Sequence, residues 1–140
     1  MTSILVPVDG SDNAMRAVDH ALTLARGCAA AQVHLLNVRE PVYEHVKDVM
    51  SREEVEKLEI AAGRLVLQPA QKMLDAAGVQ NVGQVRIGPI ADSIADYARE
   101  MLCNNLVMGT RGMGAIKSML MGSVTTKVIH LVDIPVTLVK

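Results

Sequence analysis

Four times this sequence runs a short, nearly continuous apolar stretch into a stripe of apolar residues at helical spacing, and it closes on a fifth such stretch. That alternation restricts the fold more than any other feature. Ile4, Leu5, Val6 and Val8 form the first stretch, the pattern of a strand covered on both faces. Gly10 turns the chain, Ser11 or Asp12 can cap, and Ala14, Ala17, Val18, Ala21, Leu22 and Ala25 make one helical face that stops at Gly27. Residues 32–38 give the second strand, with Val33, Leu35, Leu36 and Val38 apolar and His34 interrupting them. No second His stands at ligand spacing, so His34 reads as a satisfied or edge residue.

Residues 41–50 show no period and read as an irregular connection, with Tyr43, His45 and Lys47 placed over a site mouth. Ser51 and Glu54 fit a capping box, and Val55, Leu58, Ala62, Leu65 and Val66 continue as a helical stripe. Pro69 should kink or break that helix before it resumes through Met73, Leu74 and Ala77 to a cap at Gly78. Val79, Val82, Val85 and Ile87, weakened by Gly83, give a third strand expected at a sheet edge. Gly88-Pro89 opens a third helix, with Pro at the first helical position and Ile90, Ile94, Ala95, Ala98, Met101 and Leu102 as its buried stripe. Residues 106–108 are the fourth strand, and Val136, Thr137, Leu138 and Val139, introduced by Pro135, the fifth. Crossovers of this length permit parallel pairing, which predicts an α/β fold of three layers around a five-stranded parallel sheet, one domain over residues 1–140.

The fourth strand empties directly into Gly109, and Gly112 follows. Nine residues later Gly122-Ser123 opens a helix carrying Val124, Val128, Ile129, Leu131 and Val132. Glycines let backbone approach phosphate oxygens closely, and a helix N-terminus presents unpaired N–H groups and about half a positive charge. Gly109, Gly112, Gly122 and Ser123 therefore read as an anion site, although a plain turn and an ordinary cap would also use them. The stretch is not a Walker A motif, because no Gly-Lys-Ser/Thr ends it.

The spacing Gly109, two residues, Gly112, nine residues, Gly122-Ser123 resembles the nucleotide-binding signature of the universal stress protein family. The resemblance covers the whole chain: Val6-Pro7-Val8-Asp9-Gly10-Ser11, Gly88-Pro89 and Ile134-Pro135-Val136 stand where that family has them. It implies a Rossmann-like sandwich with strand order 3-2-1-4-5, so that the first and fourth strands meet at a switch point. It also implies an ATP site made of Pro7, Val8, Asp9, Val38, Met108, Gly109, Arg111, Gly112, Gly122, Ser123, Val124 and Thr125. In that reading Asp9 takes a ribose hydroxyl or an ATP-bound Mg²⁺, and Val8, Val38 and Met108 flank the adenine. Ser123, Val124 and Thr125 hold phosphates through N–H and hydroxyl groups. Asn104-Asn105 departs from the family's acidic-aliphatic pair, several residues from the phosphates. Met113, Ile116, Met119, Leu120 and Met121 make the loop apolar, suiting a neighbouring helix or a second subunit.

Composition excludes several other classes. Fourteen basic against fifteen acidic residues give a net charge of −1, which carries no footprint for nucleic acid or an anionic membrane. Phe and Trp are absent and Tyr43 and Tyr97 are the only aromatic residues, so base stacking on a protein platform has little to work with. No window approaches a membrane span and no signal segment opens the chain, which with the isolated thiols of Cys28 and Cys103 reads as cytoplasmic. The four His are scattered and no G-x-S-x-G elbow is present, so no catalytic residue is assigned. The leading expectation is an ATP-dependent regulatory module acting in stress response through an unidentified protein partner. A slow ATPase or nucleotidyl-transfer enzyme, and a structural dimer without nucleotide, are the alternatives. Val136, Thr137, Leu138 and Val139 form an edge protected only by Lys140, which predicts a homodimer paired through this strand.

Overall fold

A computed structural model describes residues 1–111 and 121–140. In chain order the elements are β1 (Thr2–Pro7), α1 (Asp12–Arg26), β2 (Ala31–Arg39), α2 (Tyr43–Val46) and α3 (Arg52–Ala76). Then come β3 (Asn81–Ile87), α4 (Ile90–Glu100), β4 (Asn105–Gly109), α5 (Ser123–Leu131) and β5 (Val136–Val139). The strands form one parallel sheet in the order β3-β2-β1-β4-β5, with Ile4 opposite Asn105 where β1 meets β4. This is the expected order, and β3 is an edge.

Side chains alternate across the strands and so build two cores. Ile4, Val6, Val8, Val33, Leu35 and Val107 pack against Ala17, Val18 and Ala21 of α1 and Leu67, Ala70 and Leu74 of α3. On the other face Leu5, Leu36, Leu106 and Met108 meet Ile94, Tyr97 and Ala98 of α4 and Val128 of α5. Helices α1 and α3 thus cover one face and α4 and α5 the other, so the winding reverses between β1 and β4.

Small residues on α1 and α4 allow the helices to lie close on the sheet. On α3 the same is done by Gly63, where a Cβ would stand 2.5 Å from a Val85 methyl and 2.9 Å from Asn37 Oδ1. Helix α3 runs without interruption through Pro69, so the expected break does not occur. Proline leaves the carbonyl four residues earlier without its donor, and that residue, Leu65, is 64% exposed, where water can serve. Leu67, Ala70 and Leu74 hold both halves of the helix on the sheet. Within 41–50 a single helical turn forms at α2, and Arg52 lies 4.2 Å from the centre of the Tyr43 ring. Pro89 stands one position earlier than expected, as the N-cap of α4.

Buried polar groups on the α4 face are partnered. His34 Nδ1 lies 2.8 Å from the Tyr97 hydroxyl, and the Arg86 guanidinium covers the Tyr97 ring at 4.8 Å while pairing with Glu100 at 2.6 Å. Burial pushes the Tyr97 phenol up to about 12 and the Cys103 thiol up to about 11, and it lowers the His34 pKa. Cys103 is therefore a protonated core thiol.

Candidate functional site at the carboxyl ends of the first and fourth strands

The chain leaving β1 is held to β2 for one residue more than the strand itself. Val8 N–H donates to Leu36 C=O at 2.8 Å, and Val8 C=O accepts from Asn37 Nδ2 at 2.8 Å. Asp9 comes next and is exposed, and its Oδ1 accepts from Ser11 N–H at 2.9 Å. Gly10 then takes φ 91°, a left-handed backbone that suits glycine, and Ser11 Oγ caps α1 by accepting from Ala14 N–H. Asp9 is in this way fixed at the rim where β1 opens into α1.

Across the switch point, β4 ends at Gly109 and the chain is tied down on both sides. Thr110 N–H donates to Val139 C=O at 2.9 Å and Thr110 C=O accepts from Gly122 N–H at 2.6 Å. Thr125 Oγ1 donates to Gly109 C=O at 3.0 Å. These bonds set the amino end of α5 beside the carboxyl end of β4. The first bond inside α5 runs from Thr126 N–H to Gly122 C=O, so the helix does not consume the N–H groups of Ser123, Val124 and Thr125. N–H groups left in this way at a helix start attract anions.

The remaining expected residues divide. Val38 and Met108 belong to the α4 and α5 face, whereas the Val8 side chain is buried in the opposite core with α1 and α3, so Val8 can offer a site only its backbone. The Thr125 hydroxyl is buried and spent on Gly109, whereas Ser123 at the helix start is exposed. Pro7 closes β1, and Arg111 is half-buried, its N–H donating to Asn13 Oδ1 at 2.8 Å. Gly112, with Met113, Ile116, Met119 and Leu120, lies outside the described residues. Beside the carboxyl end of β2 an open groove of about 300 Å³ is lined by Val38, Arg39, Glu40, Val42, Glu59 and Ile90, with Arg39 and Glu59 paired at 2.8 Å.

Sequence reasoning missed Asn13. It is 8% exposed and falls on the buried stripe of α1 with Ala17 and Ala21, where an amide needs partners. That break in an apolar stripe was the signal available.

A family model described as the universal stress protein family matches residues 1–140. The chain belongs to the universal stress protein family. Among its relatives, universal stress protein YxiE of Bacillus subtilis is 33% identical over 150 residues, covering 98% of this chain and 97% of that protein. The solved structure of hypothetical protein MJ0577 is 27% identical with a TM-score of 0.87, covering 99% of this chain and 95% of the other. A universal stress protein solved in complex with cAMP is 26% identical with a TM-score of 0.75, covering 99% and 97%. For this universal stress protein family member, the described residues contain no helix long and apolar enough to cross a membrane and no group of three or more metal-ligating side chains.

Proposed function

We propose that this chain, as one nucleotide-binding domain over residues 1–140, is a regulatory module of the stress response in the cytoplasm that takes ATP between β1 and β4. The observation that carries this reading is the pairing at the switch point. The N–H groups of Ser123, Val124 and Thr125 follow the carboxyl end of β4, the rim carboxylate of Asp9 follows that of the neighbouring β1, and the groove at Val38 lies at that of β2, the next strand in the sheet. Phosphates suit the first, and a ribose hydroxyl or a phosphate-bound Mg²⁺ suits the second. The apolar side chains of Val38 and Ile90 suit a base. The cAMP held by a 26% identical relative supports an adenine nucleotide over other anions. Asp9, Val38, Met108, Gly109, Arg111, Gly112 and the Gly122 to Thr125 segment are the residues assigned to it.

Binding groups are present at this end of the sheet, and an oriented base beside them is not among the described contacts, so turnover far below the enzyme median of about 10 per second is expected. Identifying the nucleotide released from denatured purified protein, followed by calorimetry with Mg-ATP, tests the reading. Absence of both a released adenine nucleotide and a titratable ATP site would refute it.

A further inference from the structure

One side chain, Asn13 at the start of α1, bonds to both the chain leaving β4 and the end of β5. Its Nδ2 donates to Val139 C=O at 2.8 Å and its Oδ1 accepts from Arg111 N–H at 2.8 Å. A carbonyl can only accept and a backbone N–H can only donate, so these partners fix which way the amide points. Gly109 passes directly beneath it: a Cβ there would run into Asn13 Oδ1 and Cγ. The space that glycine leaves at the end of β4 is thus filled by the Asn13 amide.

From this geometry we propose that Asn13 is the positioning residue for the phosphate end of the site. It is assigned no contact with the ligand itself and acts through Gly109 and Arg111, which it touches. It holds the first residues after β4 against the last residue of β5 and thereby fixes Thr110, whose carbonyl in turn holds Gly122 N–H at the start of α5. The Asn13 amide donates from its nitrogen and accepts at its oxygen, so alanine removes both restraints. The inference rests on the nucleotide-binding reading above and adds a division of labour within it. Asn13 governs the phosphates and leaves the base, seated at the β2 groove, unaffected.

The test is calorimetry of the full chain with ATP and, separately, with adenosine, which lacks phosphates. Asn13→Ala is expected to weaken ATP by about tenfold or more, the scale of one lost charge-assisted contact, while adenosine changes by less than about twofold. A merely structural loss would weaken both ligands together. Gly109→Ala, which pushes a methyl into the amide, should reproduce the ATP-selective loss in the wild-type background and add little in the Asn13→Ala background, where the methyl has room. Equal loss of ATP and adenosine in Asn13→Ala, unchanged ATP affinity, or a Gly109→Ala penalty of the same size in both backgrounds overturns the proposal while leaving the nucleotide-binding reading intact. A wild-type chain that binds neither ligand overturns both. If Asn13→Ala does not fold, Asn13→Ser, whose hydroxyl reaches one partner but cannot bridge, gives the same comparison.

Discussion

His34 Nδ1 and the Tyr97 hydroxyl meet at 2.8 Å beneath α4, joining the middle of β2 to the one aromatic side chain in the core. Burial lowers the His34 pKa from its ordinary 6.5. The folded state therefore binds fewer protons there than the unfolded chain, and this contribution to stability is complete above pH 6.5. It is lost as pH falls from 6.5 toward the lower folded value. Urea midpoints at pH 7.5 and 5.5 should fall more steeply for wild type than for His34→Gln; parallel midpoints would show that His34 does not titrate.

Gly122 is the N-cap of α5 with φ −74° and ψ 161°, a backbone any residue can adopt. Gly122→Val should therefore fold normally while its side chain stands where phosphate oxygens approach. ATP affinity is expected to drop by more than about tenfold, with the thermal midpoint of the empty protein unchanged. Equal affinities in calorimetry would remove the phosphates from this helix end.

Leu102 follows α4 at φ 53° and is 82% exposed. Cys103 N–H reaches back to Ala98 C=O and Leu102 N–H to Arg99 C=O, the bonding of a helix end that normally places glycine at this position. Leu102→Gly relieves left-handed strain at the expense of unfolded-state freedom. A gain of about 0.5–1 kcal/mol in chemical denaturation is expected.

Gly63→Ala should do the opposite of what helix propensity suggests. Alanine normally stabilises a helix interior by up to about 1 kcal/mol over glycine. Here its methyl meets Val85 and Asn37 Oδ1, a buried oxygen with no partner among the described residues. Overpacking of this kind costs about 1–3 kcal/mol, so a lowered urea midpoint is expected.

Thr137 and Leu138 are exposed on β5, which ends the sheet beside β4. The proposed homodimer would pair this edge with its copy about a two-fold axis. Sedimentation should show a dimer for wild type and a folded monomer for Thr137→Pro combined with Leu138→Lys. A monomeric wild type would rule the interface out.

Most of the scaffold was legible because parallel strands covered on both faces leave continuous apolar runs, as Ile4, Leu5 and Val6 do, and because Ser11 and Ser51 cap as their positions suggest. Strand order came from resemblance, since nothing in β4 itself says that Leu106 will lie beside Leu5. Side-chain direction was misjudged where it depends on register: Val8 faces α1 and α3, two residues beyond Val6 on the same side. Pairings across the chain, such as Asn13 with Arg111 or His34 with Tyr97, have no local signature.

Ile4 pairs with Asn105, a partner made about a hundred residues later in synthesis. The central strand is thus produced well before β4, the neighbour that completes its pairing. Closing so long a loop is slow compared with forming local helices. A newly made chain consequently cannot offer the proposed β1–β4 site to any ligand until β4 has left the ribosome and docked. Ligand capture by this site would report that synthesis of the sheet has gone nearly to its end.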